Sequence, residues 1–295
     1  MFNAITNLYC HGDIKALKEK LLHTTAWQQH DYTAYGETQL QQFWLQSLQD
    51  FGFGQLIDSQ QIDDGQYGAL VCQFKGQNSD DNVRLTFQFE HNKQYIKRVH
   101  CIVDSYSYQN HLQCDDQQLI KQLPSADPLI IAKFDHQLHP ESFHAKPSDI
   151  NDSLNSNNKS LVDSWWTLWQ QQDFPIIKDI YSDDCIINLP SPVSNHDNSD
   201  GSDASELRDF VLRLAQQLNR RYCQLERVIV DNQNSNNIAI AWQIDGDFND
   251  NGAIKRIKIP VQTIFTINDG KISTEHMVID WHSLMKRFDL STSIL

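Results

Sequence analysis

The chain has 295 residues, 40% hydrophobic and 10% aromatic with 7 Trp and 14 Phe, enough for two packed domains and too rich in core formers for a disordered chain. A formal net charge of −14 works against phosphate neutralisation and against anionic membrane surfaces, which argues against nucleic acid and membrane as partners. The opening residues 1–7 form no leader-like segment, no apolar run nears the roughly 18 residues of a membrane span, and Cys10, Cys72, Cys101, Cys114, Cys185 and Cys223 show no paired spacing, so a cytoplasmic protein with reduced thiols, no metal and no cofactor is expected.

In chain order, apolar periodicity predicts helices over 2–9, 14–22 and 37–48, then strands around Leu56 and over 69–74, 83–89 and 95–103. Residues 109–158 carry Pro124, Pro128, Pro140 and Pro147 and end in the polar run 153–158, which is linker composition. The patch Leu129-Ile130-Ile131 is expected to dock on a domain, and the Asn/Ser part to be mobile. Beyond it, Leu161, Val162, Trp165, Trp166, Leu168 and Trp169 recur at helical spacing, a short helix is expected over 174–181, and a strand over 185–189 stops at Pro190. A helix over 203–218 precedes strands at 224–231, 238–245, 254–267 and 271–279, with turns at Asp245-Gly246, Asn251-Gly252 and Asp269-Gly270. Helices followed by a strand meander predict an α+β domain with helices on one face of an antiparallel sheet.

The two halves repeat one another. Leu8 and Asp13 match Leu168 and Asp173, and Leu40, Phe43 and Leu45 match Leu207, Phe210 and Leu212. Further on, Ala69, Gln73 and Gly76 match Ala239, Gln243 and Gly246; Phe89, Ile96, His100 and Asp104 match Phe265, Ile272, His276 and Asp280. The separation between partners only grows along the chain, in steps that fall in turn-rich places, as insertions in loops would produce. This predicts a first domain at 1–108, a linker at 109–158 and a second domain at 159–295.

The ending Ile267-Asn268-Asp269-Gly270-Lys271-Ile272 with Glu275-His276 and Asp280-x-x-x-Leu284 resembles the last hairpin of SnoaL-like, nuclear transport factor 2-like domains. Ile180-Tyr181-Ser182-Asp183-Asp184-Cys185 is similar to their second helix running into the first strand. The resemblance implies two cone domains, each with three N-terminal helices on a curved antiparallel sheet around one apolar pocket. It places Trp165, Trp169, Asn188, Trp242, His276 and Asp280 at the second pocket, with Ile5, Tyr9, Gln28, Cys72, His100 and Asp104 as their counterparts in the first. The family holds isomerases, cyclases, hydrolases and adaptors, so fold does not give function. It also implies an outer sheet face commonly buried in a dimer, from which an internal pseudo-dimer and a monomeric protein are expected.

His276 and Asp280 are the catalytic candidates. Four residues apart on a strand, they share a face but stand roughly 13 Å apart, too far for a direct hydrogen bond. A competing reading makes Asp280 the N-cap of a helix over 281–288. Acids a few residues before that Asp serve cyclases and epoxide hydrolases of the family; here those positions are Met277-Val278-Ile279. Asp247-x-Asn249-x-Asn251-Gly252 matches the first half of a calcium loop, but Lys258 replaces the closing Glu and a hairpin explains it better. The acidic run 196–203 fits no metal-loop spacing, and Lys255-Arg256-Ile257-Lys258 reads as the wet face of a strand. Three functions stay open: acid–base catalysis on a small apolar substrate, binding of a small apolar molecule without chemistry, and a structural duplication.

Overall fold

A computed structural model describes residues 1–30, 32–51, 54–75, 82–124, 145–190 and 204–290. The protein is α+β and divides into two compact units, Met1–Asp135 with Asp280–Arg287, and His136–Ile279 with Phe288–Leu295.

The first unit opens with α1 (Phe2–His11) and α2 (Ile14–Lys18), whose first turn is capped by the Asp13 carboxylate accepting from the Ala16 amide at 3.0 Å. The expected helix over 14–22 is cut short because Leu21 begins β1 (Leu21–Gln29), which pairs with β2 (Tyr32–Tyr35); neither strand was expected. Residues 25–29 are buried without alternation, so β1 lacks the period-2 signal by which half-exposed strands are read. Then follow α3 (Gly36–Phe51), β3 (Gln55–Asp63), β4 (Tyr67–Lys75), β5 (Asn82–His91) and β6 (Ile96–Val103). The sheet order is β2-β1-β6-β5-β4-β3, with Trp27, Trp44, Phe87 and Phe89 in the core beneath it.

Part of the expected linker is helical. α4 (Ser105–Leu112) leaves β6 at once, and α5 (Asp116–Gln122) starts with a capping box in which Asp115 and Gln118 satisfy each other's amides. The patch 129–131 lies outside the described residues, as does the run 196–203.

In the second unit α6 (Pro147–Ile150) precedes α7 (Ser156–Gln171). Asn155 caps α7 by accepting from the Asn158 amide at 2.9 Å, so the polar run expected to be mobile is a helix start. Asn and Ser suit both roles, because the side chain that breaks a helix interior satisfies its first free donors. After a 3-10 turn at Phe174–Ile176 come α8 (Ile177–Ile180), β7 (Tyr181–Asn188), α9 (Ala204–Gln217), β8 (Leu218–Val230), β9 (Asn237–Asp250), β10 (Ala253–Asn268) and β11 (Lys271–Val278). The order β7-β11-β10-β9-β8 reproduces that of the first sheet apart from the added edge strand β2. Both sheets are mixed rather than wholly antiparallel, since β1 runs parallel to β6 and β7 parallel to β11. The chain crosses through α3 or α9 to the far edge of its sheet and returns strand by strand until β6 or β11 lies beside β1 or β7, the long connection that a parallel pair requires.

The loops Asn251-Gly252 and Asp269-Gly270 are two-residue turns with positive φ at both positions, 51° and 93° in one, 50° and 75° in the other. That geometry matches the twist of the flanking strands. Asp245-Gly246 is not a turn: β9 runs straight through it. Gly246 is there for space, because a Cβ would stand 2.8 Å from the Leu218 Cβ.

The last helix, α10 (Trp281–Phe288), corrects the expected boundary. Trp281, His282, Ser283, Leu284 and Met285 are buried, and Asp280–Arg287 belongs to the first unit although it follows the last strand of the second.

Candidate functional site

In the second unit α7 supplies three tryptophans and the sheet completes an aromatic cluster. Trp169 meets Trp242 with ring centroids 4.8 Å apart, Trp165 meets Phe265 edge-on at 5.1 Å, and Trp165 meets Trp242 at 5.7 Å. Trp165, Trp169 and Trp242, all placed at the pocket by the sequence, are thus brought together. The Nε1 donors of Trp166 and Trp169, like those of Trp27 and Trp44 in the first unit, find no acceptor among the described residues.

Phe265 lies opposite Glu275 in the β10–β11 ladder, so Glu275 points to the same side. Its carboxyl is fully buried, accepting from Trp165 Nε1 at 3.3 Å and from the Tyr181 hydroxyl. Burial pushes it up to about 7, against the lowering effect of the bonds from Tyr181 and Trp165. Burial, then the neighbouring Glu275, also holds the Tyr181 hydroxyl well above its ordinary value. Sequence reading missed both residues.

His276 and Asn188 do not join this cluster. They lie opposite one another in the β11–β7 ladder, with Asn188 Nδ2 and His276 Nδ1 3.3 Å apart, and His276 points to the other face from Glu275. The cause is a bulge. The ladder passes from Ile267 opposite Ile272 to Thr266 opposite Thr274, leaving Ser273 unmatched. Without that extra residue the Asp269-Gly270 turn would set His276 opposite Thr263, whose hydroxyl accepts from Trp242 Nε1 at 3.0 Å. The first unit bulges at the corresponding place, from His91 opposite Ile96 to Glu90 opposite Arg98.

Asp280 and Asp104 share one structural role. Each follows the last strand of a sheet and caps the next helix, Asp280 accepting from the Ser283 amide at 3.1 Å and Asp104 from the Ser107 amide at 3.3 Å. Asp104 is also gripped by Arg84 through Nε at 3.1 Å and through Nη2. Asp280 accepts from Ser105 at 2.7 Å, from the Ser283 hydroxyl at 2.6 Å and from His30 Nδ1 at 2.7 Å. Burial alone would raise its pKa, but the His30 charge and these bonds outweigh that and hold it at about 2. Its partner is therefore His30, not His276.

In the first unit Tyr9 donates to Gln29 Oε1 at 3.2 Å, and Ile5 and Cys72 are buried in the same core. Gln28 lies opposite His100 as Asn188 does opposite His276. Burial, then Arg287, lowers His100 to about 4. Where the second unit has Glu275 the first has the buried Val99, so only the second carries a carboxyl at this position. No group of three or more His, Cys, Asp or Glu able to hold a metal occurs among the described residues, where no helix is long and apolar enough to cross a membrane.

Residues 162–275 match the family model described as SnoaL-like domain. No curated protein matches the chain. Among solved structures it is similar to a putative polyketide cyclase from Bacillus cereus, at 16% identity and a TM-score of 0.38 over 48% of this chain and 90% of that one. A putative SnoaL-like polyketide cyclase from Jannaschia sp. CCS1 is similar at 14% identity and a TM-score of 0.35, over 47% of this chain and 95% of that one. A hypothetical protein with ketosteroid isomerase-like fold from Catenulispora acidiphila gives 12%, a TM-score of 0.34, and coverage of 44% and 92%. Each spans about half of this chain.

Proposed function

We propose that the second unit binds a small, largely apolar molecule bearing a carbonyl against Trp165, Trp169 and Trp242, and that Glu275 exchanges a proton with it. The observation behind this reading is the Glu275 carboxyl, fully buried, held by the neutral donors Tyr181 and Trp165, and titrating at about 7. An acid with that pKa beside an apolar wall takes up and returns a proton near neutral pH, which a carboxyl at its ordinary value does poorly. In the step envisaged, a C–H proton next to the carbonyl moves to the Glu275 carboxylate and the electron pair passes to the carbonyl oxygen. The proton then returns to another carbon of the ligand. Trp169 Nε1 is a donor available to that oxygen. None of the six cysteines is in a disulfide, which fits a cytoplasmic setting.

A second, structural reading has its own support. Trp165, Trp169 and Trp242 are each 0% exposed, so Tyr181, Glu275 and Trp165 would form a polar lock inside a filled core. Tryptophan fluorescence of the full chain, titrated with cyclohexenone, tetralone and androstenedione, separates the two. Proton exchange of the same ketones is followed by NMR in deuterated water. The proposal expects a fluorescence response and exchange, with Glu275→Gln keeping the response and losing the exchange. No response to any of the three leaves the structural reading.

A further inference from the structure

The first unit holds an open cleft of about 610 Å³ that the SnoaL-like reading of the second unit does not use. One wall is α3, which presents Gln39, Gln42 and Gln46 at helical spacing; the opposite side has His30, Tyr32 and Tyr108. Among the described residues lining it there is no Lys, Arg, Asp or Glu.

Three features point to one chemical class. Glutamine amides each offer donors and an acceptor, which matches hydroxyl groups that need both. Tyr32 is stacked on Phe43 at 5.7 Å and 23°, and Tyr108 on His30 at 5.7 Å and 22°, so flat faces are fixed beside the amides for the C–H side of a ring. The absence of Lys, Arg, Asp and Glu among the described lining residues disfavours a charged ligand, which would lose its hydration without a counter-charge.

His30 is the anchored polar group. Its Nδ1 is engaged by the largely buried Asp280 carboxylate at 2.7 Å, which fixes the ring, while Nε2 has no partner among the described residues. We propose that the first unit binds a neutral polyhydroxylated small molecule of mono- or disaccharide size in this cleft, with His30, oriented by Asp280, hydrogen-bonding a ligand hydroxyl through Nε2. The volume lies within the usual range for small-molecule sites. The proposal is independent of Glu275, and Asp280 acts here as a positioning residue.

The test is saturation-transfer NMR on the full chain with glucose, N-acetylglucosamine and maltose, with glucose 6-phosphate and glucuronate as charged controls. Transfer from at least one neutral sugar is expected, stronger than from either control and unchanged in Glu275→Gln. His30→Gln should weaken binding about tenfold. Since that change also strips Asp280 of its partner, the double variant Gln42→Ala, Gln46→Ala on the exposed side of α3 supplies a second measurement with the same expected loss. No transfer from all three neutral sugars, preference for the charged controls, or full binding by the double variant would overturn the proposal.

Discussion

Glu275 and His276 are neighbours in sequence and face opposite ways on β11: the carboxyl accepts from Trp165 at 3.3 Å and from Tyr181, while the imidazole meets Asn188 at 3.3 Å. The bulge at Ser273 sets which of the two enters the aromatic cluster.

Glu275 makes the second unit less stable as pH rises. Its carboxyl titrates at about 7 in the fold against an ordinary 4.5, so the native state holds the proton more tightly. Its contribution is complete below pH 4.5 and lost as pH climbs through 7. Integrated over that window the effect is about 3 kcal/mol. Urea unfolding of Glu275→Gln between pH 4.5 and 8 should lack this decline; an identical slope in both proteins would show that the carboxyl is ionised throughout.

The first unit should behave oppositely. His100 is lowered to about 4, so the unfolded state binds its proton first, and stability is lost as pH falls from 6.5 towards 4. The ring is partly exposed, so solvent screening trims the effect. Hydrogen exchange at pH 5 and pH 7 should show amides of β5 and β6 losing protection on acidification while those of β9 and β10 gain it. His100→Gln should remove the loss.

His30→Ala should destabilise the first unit by about 3 kcal/mol at pH 7, because it leaves the Asp280 carboxylate largely buried without its His30 partner. Asp280 is held at about 2, below its ordinary 3.8, so its stabilising contribution is present above pH 3.8 and lost as pH falls through 2. Denaturation of His30→Ala should accordingly lack that acid limb. Near-wild-type stability at neutral pH would place the pair's net contribution near zero.

Gly246→Ala forces a methyl to within 2.8 Å of the Leu218 Cβ in the middle of a continuous strand. A loss of about 1–3 kcal/mol is expected. Leu218→Ala in the same chain should show positive coupling in a double-mutant cycle. Additive losses would mean that the glycine is required for another reason.

The full chain is expected to run in light scattering as a monomer of 34.2 kDa. Two sheets of one strand order lie in a single chain, which lets one chain supply both partners of a sheet-to-sheet contact. A stable particle of twice the mass would contradict this.

Much of the architecture was legible in the residues because it rests on local chemistry. Amphipathic periodicity located α3, α7 and α9, and Asn251-Gly252 and Asp269-Gly270 announced two-residue hairpins by the positive φ such turns require. The matched positions anticipated two sheets of one strand order, and the alternative reading of Asp280 as an N-cap followed from what a carboxylate does for the free backbone donors of the segment after it. The resemblance grouped Trp165, Trp169 and Trp242 with His276, Asn188 and Asp280; the three tryptophans meet in one aromatic cluster, while His276 pairs with Asn188 on the other face of the sheet and Asp280 with His30.

Pattern by itself determined most of the helices and strands and which large side chains must be buried, because propensity, period and turn geometry act over a few residues. Tertiary structure decided the rest. Ser273 stands out of register only because of the strand beside it, and that one residue exchanged His276 for Glu275 at the aromatic cluster. Asp280 found His30, 250 positions away, because α10 packs with the first unit, a choice set by which surface its apolar face fits. Glu275 acquired a pKa of about 7 from burial among aromatic rings, a property of its surroundings that no local motif encodes.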